Sequence, residues 1–519
     1  MTVESDCTYS VAGSMEKIRR ESPYAGFPRG VLSLEMARNE YESAQIVVDA
    51  RDADVVGLRA ETSDLRGPAG VIPASCVTVR QVGYVPTVRC RRYPQSYVGL
   101  WPDPLLELPQ VDVPKGKVQP LWVTVRAPQD TPAGEYRGSI ALHARDMATV
   151  RIEVVVKVWD ITIPERPTFR AMALDGLRTE AFYDVLLQHR MSPAYALRGW
   201  TSVEPEPPVG KRDDAGWDFS AADRILEYCV PRGMNAFIIA QLPKPGRSGF
   251  IAYPADFGTR FGEYLKAYTD HLRRKGWLRM GMIFNIDEAA PEQWEMCRQN
   301  YRQSKAIAPE VPVIQCLNEP KGVAALTGFA DIWDVYFTQY QEAGVPARQK
   351  AGDDAVFAIC CYPATHPNLF TDYPGIDARI VGWLSWKAGV SGFEYWSASH
   401  WGDNLGRLPR GYLDEIESEW QANTFQRYNG DGYLLYPGPG GKPLSSIRLE
   451  NLRDGFEDWE LLALLKRKDG ERAEDLLSLK GLCEEDMSFN PNPVALMATR
   501  RQVAEALTAG DGAGAGSAQ

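Results

Sequence analysis

Short runs in which apolar and polar residues alternate, rich in Val, Ile and Thr, fill the first third of the chain. They are GVLSLEM, SAQIVVDA, CVTVRQVGYV, PLWVTVRA, YRGSIALHA and ATVRIEVVVKVWDITI. A period of two turns one face of each strand to a core and the other to water. Turn-rich pieces such as APQDTPAGEY separate the runs, which is the pattern of a β-sandwich. The prolines of IPERPT then block both helix and ladder and mark a linker. A sandwich is therefore predicted over residues 1–164.

Beyond Pro167 the rhythm changes. Eight apolar runs read as strands: FRAMALD (169–175), SPAYALRG (192–199), NAFIIAQL (235–242), GMIFNID (281–287), VPVIQCLN (311–318), IWDVYFT (332–338), AVFAICCYP (355–363) and SGFEYWSAS (391–399). Between several of them lie amphipathic stretches, including FGEYLKAYTDHLRRKGW, PEQWEMCRQNYRQSKAIAP and DARIVGWLSWKAG. Eight strands with helical connections have the size of a (β/α)8 barrel, predicted over residues 165–426. The second run is the least regular, and the same rhythm also permits an open doubly wound sheet.

From Arg427 two β-like pieces, GYLLYPG and SSIRLEN, precede a helix over about Asp454–Lys468, giving C-terminal strands and a docking helix over 427–480. Arg453, Asp454, Glu457, Asp458 and Glu460 beside the stripe Leu461, Leu462, Leu464 and Leu465 read as a salt-bridged helix start. Residues 481–519 are polar and end in TAGDGAGAGSAQ, a low-complexity tail expected to be disordered. Its glycines follow no strand and open no helix, so they do not form a phosphate loop. The fold class is thus multidomain β plus α/β: an N-terminal β-sandwich, a (β/α)8 TIM-type barrel and a short C-terminal β/helical extension.

Composition narrows the partners. A net charge of −11 repels nucleic acid and anionic lipid. No apolar run reaches the ~18–20 residues of a membrane span, so no membrane insertion is expected. The start, MTVESDCTYSVAGSMEKIRR, lacks the apolar stretch of a signal peptide. The nine cysteines include no CxxC pair and no Cys/His cluster, which argues against zinc and for a reducing compartment. A cytoplasmic location is expected, or secretion if a leader precedes this sequence. No metal or cofactor is called for, and a homo-oligomer is open.

The 14 Trp and 23 Tyr supply ring faces that pack cores or stack on sugars. Asp287-Glu288, closing GMIFNIDEAAP, is the sharpest chemical feature. In a barrel the C-terminal ends of the strands carry the reacting groups. Two adjacent carboxylates repel there, so one of them can keep a proton for general-acid work while its neighbour stays ionised. That division of labour suits glycoside hydrolysis. The alternative is an Asp/Glu cap on the helix that follows, with Pro291 in its first turn.

Aromatic residues cluster near the later strand ends: Tyr336, Tyr340, Tyr362, Tyr395, Trp396 and Trp401, with Trp383 and Trp386 in a helical pattern. Asn318, His366, His400, Asp403 and Asn404 are polar candidates for sugar hydroxyls. Glu394 stands two residues before Trp396, so both face one side of a strand. It reads either as a second reacting carboxylate or as a structural ion pair. The five histidines show no HExxH spacing, and GxSxG is absent, which leaves a carboxylate-driven mechanism.

Several segments resemble glycoside hydrolase family 123 and the related bacterial group sharing its catalytic domain. They are LEMARNEYESAQIVV, WPDPLLEL, QPLWVTVRAPQDTPAGEYRGSI, FNIDEAAP, GFADIWDVYF, CCYPATHPNLFTDYPGIDARIVGWLSWKAGVSGFEYW and SSIRLENLRDGFEDWELL, spread over about residues 33–465. The resemblance implies a sandwich followed by a barrel. It also implies hydrolysis of terminal β-linked N-acetylhexosamine, characteristically N-acetylgalactosamine, from an oligosaccharide or glycoconjugate. The family's Asp-Glu pair falls on Asp287 and Glu288. By that resemblance the sugar's 2-acetamido oxygen is the nucleophile, Asp287 orients the acetamide, and Glu288 protonates the leaving oxygen and then activates water. Trp396 and Tyr336, with Tyr362 behind them, would wall the acetamido pocket. Two departures stand out: Ala289 where family-like sequences often read DEP, and Glu394 where an apolar residue is usual. They keep two alternatives open, a glycosidase for a non-acetamido sugar with Glu288 as acid and Glu394 as nucleophile, and a carbohydrate-binding protein without turnover.

Overall fold

A computed structural model describes residues 8–21, 23–28, 30–68, 70–175, 177–198, 211–213, 216–244, 252–401, 423–471 and 473–509. Two antiparallel-dominated sheets form the N-terminal domain. One runs Phe27–Pro28, Thr8–Gly13, Glu40–Asp49, Val118–Ala127, Val77–Pro86 and Leu100–Leu106 in spatial order. The other is built on Val55–Thr62, Gly134–His143, Val150–Thr162 and Leu32–Arg38. Inward residues such as Ile46, Val48, Val123, Ile140 and Ile152 close a core between them, as the two-residue period requires.

The barrel sheet contains the eight predicted strands: Arg170–Ala173, Met191–Pro193, Phe237–Gln241, Gly281–Phe284, Val313–Cys316, Ile332–Tyr336, Asp354–Ile359 and Gly392–Tyr395. Every pairing in it is parallel, and strand eight returns to pair with strand one. This excludes the open doubly wound sheet. The ring is hydrogen-bonded everywhere except between strands two and three. The cause lies in the irregular second run. Pro193 ends its strand after three residues, and Ala194–Leu197 coils into a single 3-10 turn. Ala194 and Tyr195 then face inward and plug the gap. Below them Met172, Ile238, Met282, Ile314, Ile332 and Val356 fill the interior, so the barrel is open to ligand only at the C-terminal ends of its strands.

The C-terminal region departs from expectation in two places. SSIRLEN is not a strand: Ser446 caps a helix through its side chain, and Ile447–Asp469 is helical throughout. Around GYLLYPG only the isolated bridges Ser399↔Tyr433 and Tyr436↔Leu444 form. Within 481–519, Pro493–Thr508 is a helix rather than structureless polar chain, with Asn492 capping Val494 N–H and Pro493 in the first turn. Its Leu496, Arg500, Val503 and Ala504 are buried. The Ala/Gly tail lies outside the described residues.

The helix Ile447–Asp469 buries charge as well as leucine. Arg379, on the helix Ile376–Ala388, donates to Glu42 of the sandwich (2.8 and 2.9 Å) and to Asp458 (2.9 Å). Arg500 reaches Asp458 (2.6 Å) and Glu40, while Arg190 holds Glu457 (2.9 Å) and Arg80 holds Glu450 (2.7 Å). The helices pass so closely that a Cβ on Gly382 would lie 1.9 Å from the Gly455 carbonyl oxygen. The charged run is salt-bridged, as the sequence suggests, and it is also buried: it is a rivet joining sandwich, barrel and C-terminal helices.

Candidate active site

Asp287 and Glu288 follow the fourth barrel strand in a turn, both half-buried. Glu288 sits at φ 45°, in the left-handed region that non-glycine residues seldom occupy. The turn is held from all sides. Lys244 Nζ donates to the Glu288 carbonyl oxygen (2.7 Å), Gln315 Nε2 to the Ile286 carbonyl (2.9 Å), and Trp294 Nε1 to the Ala289 carbonyl (3.1 Å). Asn300 and Cys297 fix Asn285 below it. The next helix begins with its own cap at Ala290, whose N–H donates to the Gln293 side chain (3.0 Å). Asp287 and Glu288 are therefore not the helix cap. Their side chains line a cavity of about 320 Å³ at the open end of the barrel, room for about one sugar ring.

Tyr336, at the end of strand six, lines the same cavity and donates a long hydrogen bond from its hydroxyl to Glu288 Oε1 (3.4 Å), with Cys360 Sγ at 3.2 Å. Burial pushes its phenol far above the usual range, so it stays a donor. Glu394 and Trp396 both face inward, as the strand period predicts, and both line the cavity. Asp334, one inward position below Tyr336, is fully buried beside Glu394. Burial holds both carboxyls up, Asp334 to about 8 and Glu394 well above its ordinary value.

Trp396 is fixed by its neighbours. Its Nε1 donates to Asp431 (3.3 Å), and its ring lies against His400 and Phe425 at centroid distances of 4.9 and 4.6 Å. Asp175, after strand one, accepts from the hydroxyls of Ser397 and Ser399 and from two backbone N–H groups of the same loop. Gly432, at φ 79°, leaves no room for a side chain: a Cβ would meet Trp396 Cζ2 at 2.1 Å. Gly432→Ala is therefore expected to tilt the indole and lower kcat/KM by about 10–100-fold, with a smaller change in Tm. Steady-state kinetics beside a melting curve checks it.

Not every candidate joins this group. Tyr362 is 60% exposed and stands on the outer rim beside Tyr336 and Cys360. Trp401 donates to the Leu435 carbonyl (2.8 Å) and packs near Tyr433 and Tyr436. Asn318 is exposed outside the cavity, its carbonyl bonded to Gln339 (3.0 Å). His366 is bonded through Nδ1 to Asp377 (2.6 Å), stacked on Tyr373, and borders a separate groove near the C-terminal helix. Asp403 and Asn404 lie outside the described residues. Among the cavity residues that escaped the sequence reading are Arg198, Gln241 and Gln426. Arg198 donates to Gln241 (2.7 Å) and lies 4.1 Å from the Tyr195 ring centroid. The first two were legible as polar residues closing the second and third apolar runs. No group of His, Cys, Asp and Glu among the described residues is arranged to hold a metal ion, and no described helix is long and apolar enough to cross a membrane.

The model of the glycoside hydrolase 123 catalytic domain matches residues 250–465, and that of the glycoside hydrolase 123 N-terminal domain matches residues 20–144. Among solved structures, a family 123 glycoside hydrolase from Clostridium perfringens, described for glycolipid glycan hydrolysis, superposes with a TM-score of 0.69. It has 14% identity, over 96% of this chain and 98% of that one. A family 39 glycoside hydrolase from Bacteroides cellulosilyticus gives a TM-score of 0.35 at 12% identity, over 82% and 81% of the two chains. A Bacteroides ovatus GH5 xyloglucanase gives 0.32 at 9%, over 82% and 98%. No functionally curated protein matches the chain. The two domain matches, in the order sandwich then barrel, make the chain a member of glycoside hydrolase family 123 and a glycosidase.

Proposed function

We propose that this glycosidase is a retaining, exo-acting β-N-acetylhexosaminidase of the N-acetylgalactosamine type in which the substrate's 2-acetamido oxygen is the nucleophile. The observation that carries the reading is the strained, clamped Asp287-Glu288 turn opening into a cavity for one sugar ring. Glu288, with Tyr336 at its carboxyl, donates a proton to the leaving oxygen as the glycosidic bond breaks. Asp287 accepts from the acetamide N–H, so that the carbonyl oxygen attacks the anomeric carbon and the positive charge of the oxazolinium forms beside a carboxylate. Glu288 then takes a proton from water, which opens the ring with net retention. Trp396 supplies the apolar wall.

A double displacement through Glu394 is disfavoured, because a nucleophile must be ionised and burial beside Asp334 opposes ionisation of Glu394. Release of aglycone from aryl β-N-acetylgalactosaminide, β-N-acetylglucosaminide and the matching sugars without the acetamide separates the readings. Turnover confined to the N-acetyl sugars supports the proposal. Turnover confined to the others overturns it, and glycan binding without turnover of any substrate indicates a carbohydrate-binding protein. Asp287→Asn is expected to weaken an acetamido-thiazoline inhibitor by about 10²-fold or more, an oxyanion-hole-sized loss of charge stabilisation. Inhibition kinetics on the residual activity measures it.

A further inference from the structure

The cavity floor holds more acid than the proposed chemistry uses. Asp334 and Glu394 face inward from strands six and eight, with Val356 and Ala358 on the strand between. Asp334 is fully buried and Glu394 is 4% exposed. Their side chains are within hydrogen-bonding reach of each other. Cys316 offers Asp334 only a thiol. Among the described residues no nitrogen or hydroxyl donor reaches either oxygen of Asp334 or Oε1 of Glu394. Two carboxylates cannot both be ionised in contact without a cation, so they must hold a proton between them.

The groups that face the pair come from every neighbouring strand. Asp287 and Glu288 stand beyond strand four, Cys316 is on strand five and Cys360 follows strand seven. Tyr195 looks in from the gap between strands two and three, with Arg198 at its outer edge. Asp287, Glu288 and Cys360 oppose further negative charge on Glu394, and among the described lining residues Arg198 is the cation at the cavity edge.

We propose that Asp334 and Glu394 form a proton-sharing pair in which Glu394 meets the bound sugar as a neutral hydrogen-bonding group and Asp334 positions it. The consequence is a division of charge across the floor. With one proton shared, the pair keeps a single negative charge and Glu394 presents its protonated form to the sugar, while Asp287 is the ionised carboxylate beside the acetamide. If the pair lost its proton, a second negative charge would compete for the same N–H and raise the cost of occupying the cavity. Asp334 is a positioning residue acting through Glu394. Glu394 is a specificity-determining one, selecting a sugar that presents a hydroxyl or N–H to the floor. The charge role rests on the N-acetylhexosaminidase reading; the shared proton does not.

Two measurements on the full chain test these parts separately. The first needs no activity. Wild type, Asp334→Asn and Glu394→Gln are melted between pH 4 and pH 8. Each variant removes the cost of keeping a buried acid protonated while the unfolded chain ionises freely. The variant's Tm should therefore gain on wild type as pH rises from 4 toward 8. A Tm difference independent of pH overturns the shared proton. The second is the pH profile of kcat/KM on the best aryl glycoside. Wild type should lose activity on the alkaline side, and Glu394→Gln, permanently neutral, should shift that limb upward, with a lower plateau from the altered contact to the sugar. Superimposable profiles, or an inactive but folded Glu394→Gln, overturn the role of the pair. If the N-acetyl sugars fail as substrates while the Tm gain is observed, the catalytic reading fails and the pair stands.

Discussion

Glu288→Gln is expected to reduce kcat by about 10²–10⁴-fold on aryl glycosides with poor leaving groups, the usual contribution of a general acid. On a dinitrophenyl glycoside, whose aglycone leaves without protonation, the loss of bond cleavage should be far smaller. The reasoning is local. Glu288 is held by its own backbone, through Lys244 on its carbonyl, and its carboxyl meets the Tyr336 hydroxyl. The amide of Gln accepts that hydroxyl equally well, so the substitution removes the proton and little else. A similar loss with both aglycones would mean that Glu288 serves binding or folding rather than proton transfer.

The second large effect is on stability. Arg379→Ala should cost about 3–5 kcal/mol of unfolding free energy, because it leaves Glu42 and Asp458 buried without their principal cation. Denaturant melts measure it directly. The same network fixes the pH response. Glu42, Glu450 and Asp458 are held below the ordinary carboxylate range by the arginines beside them. Their contribution is present above the unfolded value and is lost as pH falls through the lowered folded value. Glu40, pushed up to about 7 by burial, and the raised Asp454 and Glu457 act in the opposite sense, stabilising as they take up protons. Stability should rise from pH 8 to about pH 5 and then fall steeply.

This rivet also reaches the site. Arg448, on the same helix, donates to the Gly430 carbonyl (2.8 Å) and to Asp103 (2.9 Å). Gly430 leads into Asp431 and Gly432, which hold the Trp396 indole. A C-terminal segment far from the reacting carboxylates thus sets the wall of the sugar cavity.

Much of this was legible in the chain. The two-residue period gave the sandwich strands, and alternation of apolar runs with amphipathic stretches gave the barrel. Asp287 and Glu288 were readable because an apolar strand ran straight into them, and Glu394 and Trp396 because one strand face carries both. The misreadings have physical causes. SSIRLEN alternates like a strand, yet Ser446 is a cap and Arg448, Glu450 and Arg453 are buried, so helix faces that would read as solvated are interior. The Pro493–Thr508 helix hid its buried face behind Arg500, whose charge is matched by Glu40 and Asp458 from elsewhere in the chain. Trp401 and His366 carry the right chemistry for sugar contact, but distant partners claim them. Asp334 passed as one polar residue in an apolar run, since its meaning depends on Glu394 two strands away.

The measurement that most directly tests the central claim is kcat/KM across aryl β-N-acetylhexosaminides whose N-acetyl group carries zero, one, two or three fluorines. If the acetamido oxygen is the nucleophile, each fluorine withdraws electron density from it, and the rate should fall steeply and monotonically along the series. A flat series, with inactivation by a 2-fluoro sugar that labels Glu394, would contradict the account and make an enzymic carboxylate the nucleophile.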